Sequence, residues 1–217
     1  MRTPSTQLIN DIPSIYSPAN VAVEPVTLRL KASLNVSSIY RGTPSPEIDA
    51  AWDRISRNIT RMTREEMLKA GTTETELRSK VRYPDEIGGG YMTSIDGLHQ
   101  AHCVNILRKS TWSEYYHSIG DSTFKSAPAT LRMHLDHCIE MLRQSIMCNS
   151  DVGIITWYWV EGYSVPSPNF NTLHRCRNFE KIVDWSAEHA IHIDESDVPR
   201  FPDTVDLPRP QSLEHLF

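Results

Sequence analysis

The sequence predicts an α+β fold that is mainly α-helical. It is expected to be a single domain in which two helices carrying the same histidine-rich segment pack together, with few short strands and extended arms at both ends. Three observations carry this expectation. Segments of helical period with clear cap signals fill the middle of the chain, strand-like alternation is confined to short runs, and proline-rich stretches without period sit at both ends. At 217 residues there is room for one sizeable core, and two full domains would be cramped. The expected division is an arm over residues 1–25, a body over 26–197 and a proline-rich tail over 198–217.

The bulk numbers exclude some classes. A net charge of −5, with acidic and basic residues mixed and no basic run, gives no footprint for nucleic acid. Four cysteines in 217 residues are too few for a small disulfide scaffold. No apolar run approaches the ~18 residues that cross a bilayer, and the first thirty residues lack the order of a signal peptide. Two Asn-x-Ser/Thr sequons, at Asn35 and Asn58, would suit a lumenal protein.

Taken in order, Val26 to Leu34 alternates apolar and polar residues and predicts a half-buried strand. A helix is expected to open at Ser45 as N-cap, with Pro46 in the first turn and Glu47 and Asp49 complementing its dipole. Its buried stripe would be Ile48, Ala51, Trp52 and Ile55. Thr63-Arg-Glu-Glu66 reads as a capping box for a short helix that stops at Gly71. Residues 72–86 are polar and expected on the surface. The run Gly88-Gly89-Gly90 invites a phosphate-loop reading, but no Lys-Ser/Thr pair follows at the needed place, and that reading is rejected.

Two further helices are expected, one from about Ser94 to Ser110 and one opened by Ser126 and Pro128. Ile154 to Val160 reads as a strand, Pro166 to Asn169 as a loop, and Ile182, Val183, Trp185 and Ala190 as the apolar positions of a last helix.

The two middle helices carry the chemistry. The first contains His99-Gln-Ala-His102-Cys103 and then Leu107-Arg108-Lys-Ser110; the second contains His134-Leu-Asp-His137-Cys138 and then Leu142-Arg143-Gln-Ser145. At helical spacing the two histidines and the cysteine of each copy share a face, so each helix is a two-imidazole claw for a transition metal. A single histidine on an apolar face is usually a packed core residue, but four of the nine histidines fall in this repeat. His99, His102, His134 and His137 are therefore the expected ligands, in one site or in two adjacent ones. Trp112, Tyr115 and Tyr116 follow the first claw as core or lid residues, and Tyr116 beside a redox metal would be a proton or electron donor. Asp136 is expected to be solvated or salt-bridged, His174 to be an extra ligand or supporting donor, and Arg108 and Arg143 to bridge to carboxylates or helix ends.

With these segments placed, the chain resembles the UstYa-like family of fungal mycotoxin-biosynthesis proteins. The resemblance rests on the paired motifs at 99–103 and 134–138, supported by the stretch 42–52 (Gly-Thr-Pro-Ser-Pro-Glu-Ile-Asp-Ala-Ala-Trp), Gly-Gly-Tyr at 89–91 and His-Arg-Cys-Arg-Asn-Phe at 174–179. It implies a copper-dependent oxidative tailoring enzyme of secondary metabolism, with one or two copper ions held by the four motif histidines and dioxygen as co-substrate. The implied reactions are hydroxylation, halogenation or oxidative ring closure at C–H bonds of a peptide or polyketide-derived metabolite. It also implies a lumenal domain of the secretory pathway behind an N-terminal anchor. No such anchor is read in these residues, so membrane attachment is expected only through a segment absent from this chain, and a homodimer is compatible with the pattern.

Beside an oxygen-activating copper in an oxidising compartment, a Cys103–Cys138 disulfide stapling the claws is favoured over thiolate ligation. By the same logic Cys148 would pair with Cys176, one of three connectivities open to four cysteines. The same histidines would also serve a zinc hydrolase or a structural zinc site, although neither claw has the glutamate of His-Glu-x-x-His. A non-enzymatic scaffold with core histidines is the third reading.

Overall fold

The computed structural model describes residues 15–56 and 58–208. The body is a stack of three helices, α1 (Pro46–Ser56), α4 (Asp96–Ser110) and α6 (Pro128–Asn149), with α4 in the middle touching both neighbours. Around them lie the short helices α2 (Arg64–Lys69), α3 (Glu74–Leu77) and α5 (Ser113–Ser118), and α7 (Phe179–Glu188). Among the described residues six strands form three antiparallel two-stranded ribbons: β1 (Pro25–Arg29) with β6 (Leu173–Arg177), β2 (Ile59–Met62) with β3 (Tyr91–Ser94), and β4 (Thr156–Tyr158) with β5 (Ser167–Asn169). The expected α+β, mainly helical class is the one found. Among the described residues no helix is long and apolar enough to cross a membrane.

The core is divided because no single sheet or bundle is wide enough to unify it. Ile55, Leu98 and Val183 join α1, α4 and α7, with Tyr40 and Trp52 packed against them. Met62, Met67 and Leu77 make a second cluster under β2, α2 and α3. Cys103, Ile106 and Cys138 form a third between the claw helices. Apolar residues at helical spacing bury one stripe of each helix, and removing that area from water is the main force holding the layers together.

Local signals were largely accurate at helix starts. Ser45 Oγ accepts the amide of Ile48 at 3.3 Å, and Thr63 with Glu66 forms a complete capping box whose helix ends before Gly71 at φ +97°. Several boundaries differ from the expectation. The first strand stops at Arg29 because Asn171 Oδ1 accepts the amides of Ala32 and Ser33 and turns the chain, leaving Leu34 exposed. Residues 72–86 are not simply surface: a second capping box, Thr73 with Glu76, starts α3, and Leu77 and Tyr83 are buried. The strands β2 and β3 were not anticipated, and Ser94 ends β3, so the first claw helix starts at Asp96. Within β2 the Thr60 side chain, part of the Asn58 sequon, is buried with its hydroxyl 3.1 Å from that of Thr93.

The expected strand over Ile154–Val160 shrinks to Thr156–Tyr158, and its partner β5 lies in the stretch read as a loop. Pro168 is tolerated there because a two-stranded ribbon has an edge that needs no amide donor. The last helix ends at Glu188, short of Ala190.

Both termini dock where they are described. Tyr16 donates its hydroxyl to Glu66 at 3.0 Å, and a 3-10 turn over Pro18–Ala22 packs on α7. In the tail, Phe201 stacks under Arg82, Asp203 pairs with that arginine, and the Val205 amide donates to the Arg78 carbonyl. The rest of the expected arm, residues 1–14, and of the tail, residues 209–217, lies outside the described residues.

Candidate metal centre

The claw helices run antiparallel, so the first histidine of one motif meets the second of the other. Ring centroids are 5.6 Å apart for His99 and His137 and 5.8 Å for His102 and His134, while His99 and His102 stand 6.0 Å apart along α4. An offset of 35 residues carries His99, His102 and Cys103 onto His134, His137 and Cys138. Under that exchange the two cross-helix histidine pairs swap, which makes the arrangement a local two-fold. Cys103 and Cys138 meet near its axis, both fully buried.

Packing explains the pairing. Cys103, Ile106 and Cys138 are sealed by Leu107, Leu135, Met141 and Leu142, so the apolar stripe of each helix can be buried only against the other. Ser145 Oγ donates to Gln100 Oε1 at 2.9 Å across the interface and fixes the register at the end nearest His99. That polar contact was not anticipated, although the repeated serine was visible in both motifs.

The four expected imidazoles thus come together. The tightest donor set is His99, Cys103 and His137, whose ligand atoms all lie within 4.8 Å of one another. His99, Cys103 and His137 would be the residues to hold an ion at this end of the claws. The imidazole-plus-thiol chemistry suits copper or zinc. Electrostatics favour ligation as well. Burial, followed by the nearby His137 and His99, holds the His134 pKa below the ordinary histidine value, which leaves a neutral imidazole available at neutral pH.

The cysteines are thiols in the structure. Burial, with Cys103 beside it, pushes the Cys138 thiol up to about 12. Cys148 is exposed at the end of α6 and Cys176 is half-buried on β6.

Tyr116 is placed elsewhere. It is fully buried, receives a hydrogen bond from Arg108 Nη1 at 2.8 Å and donates to Asp49 Oδ1 at 2.8 Å. Arg108 also pairs with Asp49 at 2.5 Å, and burial with the Asp49 hydrogen bond pushes the phenol up to about 12. Arg108 lies half a helical circuit from His99, so this network occupies the face of α4 turned away from the claws. Asp49, read from sequence only as a dipole partner, is its anchor. His174 is held between Asp151 at 2.7 Å and Thr172 at 2.9 Å, and Asp136 pairs with Arg132, as a salt-bridged residue would.

The profile of a family described as "Mycotoxin biosynthesis protein UstYa" matches residues 1–189. The chain is 36% identical over 159 residues to "UstYa family oxidase aprY" of Aspergillus flavus, covering 71% of this chain and 48% of that protein. It is 35% identical over 161 residues to "UstYa family oxidase phomYc" of Diaporthe leptostromiformis, covering 72% and 61%. It is 28% identical over 188 residues to "Transacylase cctO" of Talaromyces islandicus, covering 81% and 60%. The chain therefore spans about half to three fifths of the length of these relatives. No solved structure matches it. With the profile covering most of its length and the paired claws in place, the chain belongs to the UstYa family of mycotoxin-biosynthesis proteins.

Proposed function

We propose that this protein is a copper-dependent oxidative tailoring enzyme of fungal secondary metabolism, acting on a C–H bond of a peptide or polyketide-derived substrate. The observation that carries the reading is the convergence of His99, His102, His134 and His137 across one antiparallel helix pair. Two of the relatives named above are called oxidases, which supports the same class of chemistry. Copper held by these histidines would supply one-electron redox chemistry toward dioxygen and the substrate. The chain's own contribution is positioning. The claws fix the imidazoles, Gln100 and Ser145 hold the register, and the apolar packing around Cys103 and Cys138 keeps water from the floor of the site. Hydroxylation, halogenation and ring closure all fit that role, and the secretory lumen fits the exposed sequon at Asn35.

The same two-histidine, one-cysteine group also suits zinc, which is the competing reading. Metal analysis of the purified protein, joined to an electron paramagnetic resonance spectrum, separates the two. The expected result is bound copper with nitrogen hyperfine structure, lost in His102→Ala and in His137→Ala while helical circular dichroism is retained. Stoichiometric zinc with no copper uptake would move the assignment to a hydrolytic or structural site. No metal after reconstitution would overturn it altogether.

A further inference from the structure

The glycine run at 88–90 has a purpose unrelated to the claws. All three glycines are left-handed, at φ +95°, +60° and +86°. A Cβ on Gly88 would occupy the place of Arg61 Nη1, and one on Gly90 would stand 2.9 Å from the Met62 carbonyl oxygen. The loop therefore lies flat against β2 and leaves a seat for the Arg61 guanidinium, which donates to the Gly89 carbonyl at 3.2 Å. A side chain at either position would push the arginine or the strand away.

Arg61 faces a cavity of about 380 Å³ together with Arg64 and Arg82, with Tyr83, Tyr91 and Phe201 as its aromatic walls. Arg64 and Arg82 have carboxylate partners, the exposed Glu74 and Asp203. Arg61 differs. It is half-buried, and among the described residues no carboxylate pairs with it, including Asp85, the one acidic side chain on the cavity wall. A guanidinium has five N–H donors in a planar fork, and a single carbonyl leaves most of that fork open. A half-buried cation with unused donors, set in an aromatic-walled cavity, has the chemistry of a carboxylate receptor.

We propose that this cavity is a binding site for a small aromatic or unsaturated carboxylic acid, with Arg61 gripping the carboxylate and the aromatic wall covering the apolar body. Phe201 is already stacked on Arg82 and Tyr83 is buried, so the half-buried Tyr91 is the aromatic surface that such an acid would cover and inorganic phosphate would not. The site is independent of any metal at the claws.

Benzoate is the probe, titrated into the metal-free full chain and followed by the Arg Nε–H and glycine amide resonances, with benzyl alcohol and inorganic phosphate as comparisons. Saturable benzoate shifts at Arg61 and Gly88–Gly90, absent with benzyl alcohol, are expected. Arg61→Met should weaken benzoate at least tenfold. Gly88→Ala, which keeps every charge but displaces the guanidinium, should weaken it by a similar factor, with spectral dispersion elsewhere verifying that each variant is folded. Unchanged benzoate affinity in a folded Arg61→Met variant, no saturation in the parent protein, or phosphate binding without benzoate binding would each overturn the proposal.

Discussion

The same motif is written on α4 and on α6, yet the two copies live in different surroundings. Their histidine and cysteine halves face each other and are equivalent under the local two-fold. Their arginines are not. Arg108 is nearly buried, with its side chain 12% exposed, and is tied to Asp49, Tyr116 and Asn105. Arg143, at the equivalent position, is 50% exposed and, among the described residues, bonds within its own helix, to Glu140 and Met147. Leu98 is 1% exposed under α1, while its counterpart Met133 on α6 is 37% exposed. The half of the motif that pairs across the two helices in both copies is the half that bears donors. The arginine that follows has been absorbed into the core on one side and left half-exposed on the other, while Leu107 and Leu142 both pack on the shared cluster.

This contrast can be broken by paired substitutions. Arg108→Ala should lower stability by about 3 kcal/mol because it leaves the largely buried Asp49 carboxylate without its cation, whereas Arg143→Ala should cost less than about 0.5 kcal/mol. Urea unfolding measures both, and equal losses would mean that the network on α1 does not hold the stack. Leu98→Ala should cost about 3 kcal/mol through its cavity, against less than about 1 kcal/mol for Met133→Ala in the same assay. Similar values for the two would show that the outer face of α6 is covered in solution.

The smallest expected effect concerns the half that is shared. His134 resists protonation in the folded protein, while the unfolded chain takes up its proton near pH 6.5. Its contribution is thus complete above that pH and is lost as the pH falls through the lower folded value. In metal-free protein, stability measured from pH 7 to pH 5 should decline less steeply in His134→Gln than in the parent. An unchanged slope in His134→Gln would remove the electrostatic argument for a neutral ligand.

Legibility followed the range of the interaction. The claws were readable because a helix fixes its own faces, so His99, His102 and Cys103 share a direction whatever surrounds them. Capping boxes are readable for the same reason; Thr63 and Glu66 are three residues apart, and so are Thr73 and Glu76 within the polar stretch 72–86. Pairing across distance was not readable. Nothing near Asp49 says that it will meet Arg108 and Tyr116, 59 and 67 residues later. The end of β1 depends on Asn171, which lies 139 residues from Ala32. The role of the glycine triplet emerged only once β2 brought Arg61 over it.

The burial of Thr60 sets an order of events for the two sequons. An enzyme that attaches a glycan to asparagine must reach the hydroxyl two residues on, and at Asn58 that hydroxyl belongs to Thr60, 3% exposed and bonded to Thr93 within the β2–β3 ribbon. Asn35 is exposed and open to modification at any stage. Asn58 can be read only by machinery that arrives before the ribbon closes, so a glycan there would record how long this part of the nascent chain stayed unfolded.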